Sequence, residues 1–159
     1  MLPGAKITIY ALLTNAAIAG GAFLIFPQLL ANRPNLCLML ALFGCSAALA
    51  TLFSFSISDA SPGATFWMLI GHGAALIVLF AGIYRGFGLN YGGNVAGPVS
   101  GWDSLYFSVV TWTTLGYGDF TPPGAIRLVA AMQALLGYTF FGIIVGLGTD
   151  RLISRTIRR

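Results

Sequence analysis

The chain has 159 residues, of which 57% are hydrophobic and 8% charged, and its formal net charge is +4. Soluble domains carry roughly a quarter charged residues, so this composition excludes most soluble folds and allows one compact membrane module of several spans. Four of the eight basic residues lie in the last nine positions, which indicates orientation in a membrane and argues against a nucleic-acid partner.

The first 60 residues predict an N-terminal transmembrane hairpin. Uncharged runs cover residues 7–26 and 36–57, with a polar break between them. At about 1.5 Å per residue, each run is long enough to cross a hydrocarbon layer of about 30 Å. A cleaved signal peptide is the alternative for the first run, but its apolar stretch exceeds the usual length of about 7–15 residues. The hairpin lacks regularly spaced Lys or Arg, so it is not predicted to sense voltage.

The pore domain is predicted over residues 61–150 and begins with an outer helix at about 64–84. Ser61 and Pro62 precede this helix as a cap and a first-turn proline. Five glycines between residues 85 and 100 then predict an irregular, exposed loop.

A short helix is predicted next, over about residues 101–113. Ser100 and Asp103 fit the capping-box pattern at its start. A helix of this length measures about 18 Å, about half of a bilayer, so the segment must enter the membrane and return. The inner helix is expected over about 122–150, and residues 151–159 form a basic cytoplasmic tail.

The segment between the two helices carries the chemistry. Non-helical backbone is tolerated at membrane depth only where protein buries it or where it lines a water-filled cavity. Gly116 and Gly118 can adopt positive φ, which lets successive carbonyls point the same way. Such a column of carbonyl oxygens replaces the hydration shell of a potassium ion. One chain supplies one carbonyl per layer, so a complete ring requires a homotetramer.

The run Thr-Leu-Gly-Tyr-Gly at 114–118 resembles the potassium-channel signature Thr-Val-Gly-Tyr-Gly, and residues 102–113 resemble the pore helix of that family. The resemblance extends over about residues 65–150. It implies that backbone carbonyls of the filter bind potassium and that a hydroxyl closes its inner end. The implied potassium-binding residues are Thr114, Leu115, Gly116 and Tyr117, with Gly118 completing the filter and the Thr114 hydroxyl at the inner end.

The resemblance also implies a set of filter-supporting residues, namely Tyr106, Trp112, Thr113 and Asp119. Two positions depart from the family pattern. Leu115 stands where valine is usual, and Val110 stands where some members place an acid that partners the aspartate after the filter. Selectivity is expected to survive both changes, because the ligands are main-chain atoms.

Two residues within the spans have more than one interpretation. Gly137 resembles, by its distance from the filter, the inner-helix glycine at which related channels bend, and it is the gating hinge candidate. Glycine in a membrane helix also serves for close packing. His72 is the one ionisable residue well inside a span, and a hydrogen bond between helices is favoured over a pH sensor there.

The predicted fold class is an all-α membrane protein, with four transmembrane helices plus a re-entrant pore helix and filter loop around a tetrameric pore. The predicted function is a potassium-selective channel of the cell membrane, in a prokaryotic inner membrane with both termini cytoplasmic. No enzyme activity and no cofactor are expected besides permeant potassium, since the chain has one histidine and no glutamate.

The basic tail is expected to contact anionic lipids through Arg151, Arg155, Arg158 and Arg159. Two alternatives to the selective channel remain. One is a poorly selective or non-conducting subunit of a larger membrane assembly, and the other is a structural membrane protein.

Overall fold

The computed structural model describes residues 62–97 and 99–157, together with residues 17, 19–21 and 24, which are helical. The remainder of the predicted 1–60 hairpin lies outside the described residues. Within the described part of the chain, two helical stretches are long and apolar enough to cross a membrane, Thr65–Phe87 and Arg127–Thr149. The described chain is thus mostly helical.

Helix α1 spans Pro62–Phe87 and extends three residues beyond its predicted end. It stops at Gly88, whose φ of +83° is the left-handed conformation that commonly follows the last helical turn. The Gly88 amide donates to the Tyr84 carbonyl oxygen at 2.8 Å. A Cβ on Gly88 would lie 2.5 Å from the Gly97 carbonyl oxygen, so glycine is also required for this close approach.

A β-hairpin follows α1. Strand β1 covers Leu89–Tyr91 and strand β2 covers Asn94–Gly97, and they pair in antiparallel orientation. Gly92 and Gly93 connect them with φ of +58° and +81°. Positive φ at both positions is what a two-residue type I′ turn requires. Strand β3, Phe120–Thr121, pairs with β1 on its other side, giving the sheet order β2-β1-β3.

The prediction of an irregular loop over 85–100 is therefore wrong, and the all-α fold class is wrong for this segment. Glycine content suggested irregularity, but adjacent glycines between short apolar runs are also a specific hairpin signal. Strand β1 of the hairpin pairs with β3 in the register Asn90↔Thr121 and Tyr91↔Phe120. The hairpin is hydrogen-bonded to the chain that directly follows residues 114–118.

Helix α2 spans Gly101–Trp112 and has 12 residues. Its predicted cap is confirmed, because the Ser100 hydroxyl oxygen accepts from the Asp103 amide at 3.1 Å. The same hydroxyl donates to the Asp103 carboxylate at 2.8 Å. The helix ends at Trp112, one residue before its predicted end.

The last helix begins later and ends later than predicted. Two prolines at 122 and 123 lead into a 3₁₀ turn at Gly124–Ile126, and helix α3 then spans Arg127–Ile157. Pro123 keeps an extended ψ of 156°, so the α-helix cannot start before it. With 31 residues α3 is about 46 Å long, which exceeds a hydrocarbon layer of about 30 Å.

The three helices enclose a core at the end of α1 and the start of α3. Its buried members come from α1, β1, α2, the 3₁₀ turn and α3, and they are Phe80, Ile83, Tyr84, Leu89, Phe107, Ile126, Val129 and Ala130. A second cluster around Leu69, Leu76 and Phe140 packs against Trp112 at the end of α2. The short helix α2 is thus held between the two long helices.

Candidate functional site

The backbone after α2 alternates in conformation. Thr114, Gly116 and Gly118 have φ of +58°, +55° and +79°, so every second residue of the segment is left-handed. The Thr114 amide donates to the Thr111 carbonyl oxygen and the Leu115 amide to the Val110 carbonyl oxygen, each at 3.0 Å. These two bonds attach the start of the segment to the end of α2, and the chain beyond them runs without regular secondary structure as far as β3.

Thr114 is a feature that sequence reasoning did not anticipate. A β-branched residue with positive φ is a conformational outlier, since its side chain crowds the backbone there. The Thr114 hydroxyl donates to the Thr113 carbonyl oxygen at 2.7 Å. Strain of this kind persists only where the surroundings impose it, and it is frequent at functional sites. Nothing in the residue type alone could have shown it.

Residues 113–119 are exposed in the single chain. The side chains of Leu115 and Tyr117 are 57% and 67% exposed. A Cβ added to Gly116 or Gly118 would meet nothing within 4 Å among the described residues. The described part of the chain leaves this apolar and aromatic segment uncovered, and irregular backbone at membrane depth is tolerated only where protein buries it or where it lines a water-filled cavity.

Asp119, predicted to support the filter, is held by Tyr106. The Tyr106 hydroxyl donates to the Asp119 carboxylate at 2.8 Å. Ring contacts extend this link, because Phe120 packs edge-on against Tyr106 at 6.1 Å and tilted against Tyr91 at 4.9 Å between ring centroids. The chain after residues 114–118 is thereby connected to both α2 and the β-hairpin.

The pKa of the Asp119 carboxyl is lowered. Desolvation, the largest single influence, opposes ionisation, but hydrogen bonds from Tyr106 and from the backbone amides of Phe120 and Asp119 together outweigh it. The depressed pKa means that the Tyr106 link is complete at neutral pH. The hydrogen bond loses its charge assistance as the pH falls through the lowered pKa of Asp119, below the ordinary aspartate value of about 4.

We expect Tyr106→Phe to weaken this link with little effect on folding, because it removes one exposed hydroxyl and leaves the ring contacts. Since the carboxylate would then lose a donor, its pKa should rise, and acid should alter the protein at a higher pH than in wild type. Measuring the pH dependence of ion flux in both proteins checks this. An acid midpoint that does not move would contradict the assigned role of the hydroxyl.

Trp112, the last residue of α2, lies between the two long helices. Its ring packs edge-on against Phe140 with centroids 5.3 Å apart. A Cβ on Gly73 of α1 would be 3.4 Å from the Trp112 ring, and a Cβ on Gly137 of α3 would overlap the Trp112 carbonyl oxygen. Thr113 donates its hydroxyl to the Val109 carbonyl oxygen at 2.9 Å. Gly137 therefore admits the end of α2, whereas a Cβ on Gly73 would make ordinary van der Waals contact with the Trp112 ring.

Gly137 itself lies within the continuous helix Arg127–Ile157. Its closest neighbours outside α3 are backbone atoms of Trp112. Close packing thus explains the glycine without a bend, and the hinge role stays a prediction.

The remaining sequence predictions concern His72 and four arginines near the end of the chain. His72 of α1 is buried, at 6% exposed. Arg151 and Arg155 lie in the last turns of α3, and Arg158 and Arg159 lie outside the described residues.

Sequence analysis missed the buried amide Gln133, which contacts α2 and α1. A lone amide in an otherwise apolar helix was the signal that could have identified it. Its side chain is 0% exposed.

Comparison with known proteins gives a consistent result. Residues 64–154, more than half of the chain, match the family described as ion channel. The chain is 51% identical over 43 residues to Protein LctB of Geobacillus stearothermophilus, covering 27% of this chain and 32% of that protein.

Two potassium channels are also similar. Identity is 48% over 46 residues with potassium voltage-gated channel subfamily KQT member 4 of Homo sapiens, covering 28% of this chain and 7% of that protein. It is 39% over 54 residues with two-pore potassium channel 1 of Arabidopsis thaliana, covering 33% of this chain and 15% of that protein. The chain thus spans a third or less of the length of these relatives. No solved structure matches it.

Proposed function

This chain belongs to the pore-loop potassium channel family, and from that premise we propose that it conducts potassium passively across a membrane. Backbone carbonyls of Thr114, Leu115, Gly116 and Tyr117 would take the place of the water around the ion, and Gly118 would complete the filter. Two helices that are long and apolar enough to cross a membrane support this proposal, and the filter segment lies between them in the sequence.

The observation that carries this proposal is the alternation of left-handed residues at 114, 116 and 118. In an ordinary strand successive carbonyls point to opposite sides. A positive φ at every second residue supports an arrangement in which they point to one side, as ion coordination by main-chain oxygens demands. Helix α2 ends directly before this segment, and the negative end of its dipole favours a cation there.

The proposed assembly is a homotetramer around the filter. The exposure of residues 113–119 supports it, because an uncovered irregular segment at membrane depth needs protein or water on its open side. Exposed apolar side chains along α3 offer surface for neighbouring copies, and they are Leu128, Leu135, Tyr138, Phe141 and Val145. Four copies would close a ring of carbonyls that one chain cannot form.

We further propose a multi-pass arrangement in a prokaryotic inner membrane. The 1–60 segment would add a hairpin of two spans before the pore domain, which places both termini on the cytoplasmic side. The basic residues at the end of the chain, Arg151, Arg155, Arg158 and Arg159, would then meet anionic lipids there. The protein is proposed to act without catalysis and without a cofactor.

Purified protein in liposomes tests the proposal. We expect potassium-driven flux well above sodium-driven flux, and a particle mass in detergent that corresponds to four chains. Equal potassium and sodium flux would favour the poorly selective subunit. Absence of flux from a correctly assembled protein would favour a structural role or a subunit that conducts only within a larger assembly. Either result would overturn selective conduction.

A further inference from the structure

A buried cluster of hydrogen bonds joins α1, α2 and α3. Gln133 of α3 is 0% exposed. Its amide Nε2 donates to the Ser108 hydroxyl oxygen at 2.7 Å and to the Ser108 carbonyl oxygen at 3.1 Å. The Tyr84 hydroxyl of α1 donates to Gln133 Oε1 at 2.6 Å. We call Gln133, Ser108, Tyr84 and Ile77 the Gln133 junction.

The junction is internally satisfied. The Ser108 hydroxyl accepts from Gln133 and donates its own proton to the Ile77 carbonyl oxygen of α1 at 2.7 Å. The Gln133 amide thus donates two hydrogen bonds and accepts one, as its donor and acceptor groups permit. In the described part of the chain, no buried side-chain nitrogen or oxygen lacks a hydrogen-bond partner. A satisfied buried network specifies one arrangement of the groups that form it.

The position of the junction relates it to the filter. Gln133 of α3 contacts α2 at Ser108. One turn later on both helices, Gly137 of α3 contacts Trp112 of α2. The two helices therefore meet in a fixed register over this turn. The second contact lies two residues before Thr114, the first left-handed residue of the filter.

Apolar packing alone does not define this register. The core around Phe107 and Val129 is non-directional, and side chains of similar volume can slide or rotate against one another with modest loss. Hydrogen bonds require particular distances and angles. The Gln133 amide contacts one carbonyl and one hydroxyl of the same residue, so it senses both the depth and the rotation of α2.

We propose that Gln133 is a positioning residue for the selectivity filter, setting the depth and rotation of α2 through its two hydrogen bonds to Ser108. This inference rests on the proposed function. Tyr84 of α1 binds Gln133, and Ile77 of α1 binds Ser108. Helix α2 is therefore hydrogen-bonded to both long helices. Gln133 is fully buried and acts through its bonds to α2.

The test uses full-length protein in liposomes and compares potassium with sodium permeability. Gln133→Leu introduces an apolar side chain of similar size and removes both amide donors together with the oxygen that accepts from Tyr84, and Ser108→Ala removes one hydroxyl. We expect each to lower the potassium-to-sodium permeability ratio about tenfold, the factor that corresponds to one net hydrogen bond. The loss in the double variant should be smaller than the product of the two single losses, because both changes break the bond between the Gln133 amide and the Ser108 hydroxyl.

Thr149→Val is the matched control. Thr149 is exposed on the same helix and donates its hydroxyl to the Val145 carbonyl oxygen of α3 itself at 2.9 Å. Its removal should leave the permeability ratio unchanged. The melting temperature of each assembled variant is measured alongside, and Ser108→Ala keeps the test available should Gln133→Leu fail to assemble.

The outcomes separate the possible roles of the junction. Reduced selectivity in both single variants, with a less than multiplicative loss in the double variant, supports positioning of the filter. A lower melting temperature with an unchanged permeability ratio would mean that the junction only stabilises the fold, and it would overturn the inference while leaving the proposed function intact. A wild-type protein without potassium-selective flux would overturn both.

Discussion

Gly116→Ala is expected to abolish potassium-selective flux. Gly116 has φ of +55°, and an L-residue with a Cβ pays about 1–2 kcal/mol in that conformation. Nothing lies within 4 Å of the site of the added methyl group among the described residues, so the penalty comes from the backbone itself. Four copies around one pore would bring it to about 4–8 kcal/mol, enough to turn peptide groups away from the ion path.

Gly92→Ala is a closely matched control for this change. Gly92 has φ of +58° in the turn of the β-hairpin, and an added Cβ there also meets nothing within 4 Å. The same backbone strain therefore falls outside the filter. Potassium and sodium flux into liposomes, with assembly checked by particle mass, should show selectivity retained in Gly92→Ala and lost in Gly116→Ala. Wild-type selectivity in Gly116→Ala would remove the basis for a carbonyl filter.

The short helix could be predicted because its signals are local. Ser100 and Asp103 cap its first turn by direct hydrogen bonds. The sequence placed its end close to Trp112 on the strength of Gly116, although the first left-handed residue after the helix is Thr114. The β-hairpin was not predicted, because the prediction of an irregular loop relied on how many glycines lie between residues 85 and 100 and not on their order. Gly92 and Gly93 are adjacent, and this adjacency specifies a turn between two strands.

The polar contacts of the Gln133 junction could not be predicted from the sequence. Gln133 and Ser108 are 25 positions apart, and Tyr84 and Gln133 are 49 apart. No periodicity relates them, because their meeting depends on how three helices pack. The conformation of Thr114 could not be predicted from the sequence either. Its residue type disfavours positive φ, so only the surrounding fold can impose it.

Gly137→Ala is expected to reduce flux severely and to destabilise the assembly. An added Cβ would overlap the Trp112 carbonyl oxygen, and the next nearest atoms are also Trp112 backbone. No side-chain rotation can relieve a clash with backbone, so α3 or the end of α2 must move. Overpacking of this kind costs about 1–3 kcal/mol per site. Flux should suffer as well, because Trp112 lies two positions before Thr114.

The sign of the stability change distinguishes this contact from a hinge. Alanine is favoured over glycine inside a helix by about 0.5–1 kcal/mol. If Gly137 served only as a flexible point, Gly137→Ala would raise the melting temperature of the assembly while altering its open probability. If it serves to admit Trp112, the melting temperature falls. Gly142→Ala reports the propensity gain alone, since its Cβ meets nothing within 4 Å in the described chain.

A double variant provides the second discriminating measurement. Ala134→Gly, one turn before Gly137, introduces a new flexible point into α3 when it is combined with Gly137→Ala. A hinge can move by one turn and still bend the helix, so single-channel records of the double variant would then recover open probability. The overlap with the Trp112 carbonyl oxygen remains at position 137 whatever happens at 134. We therefore expect no recovery and a further loss of stability, because the second glycine adds its own helix penalty.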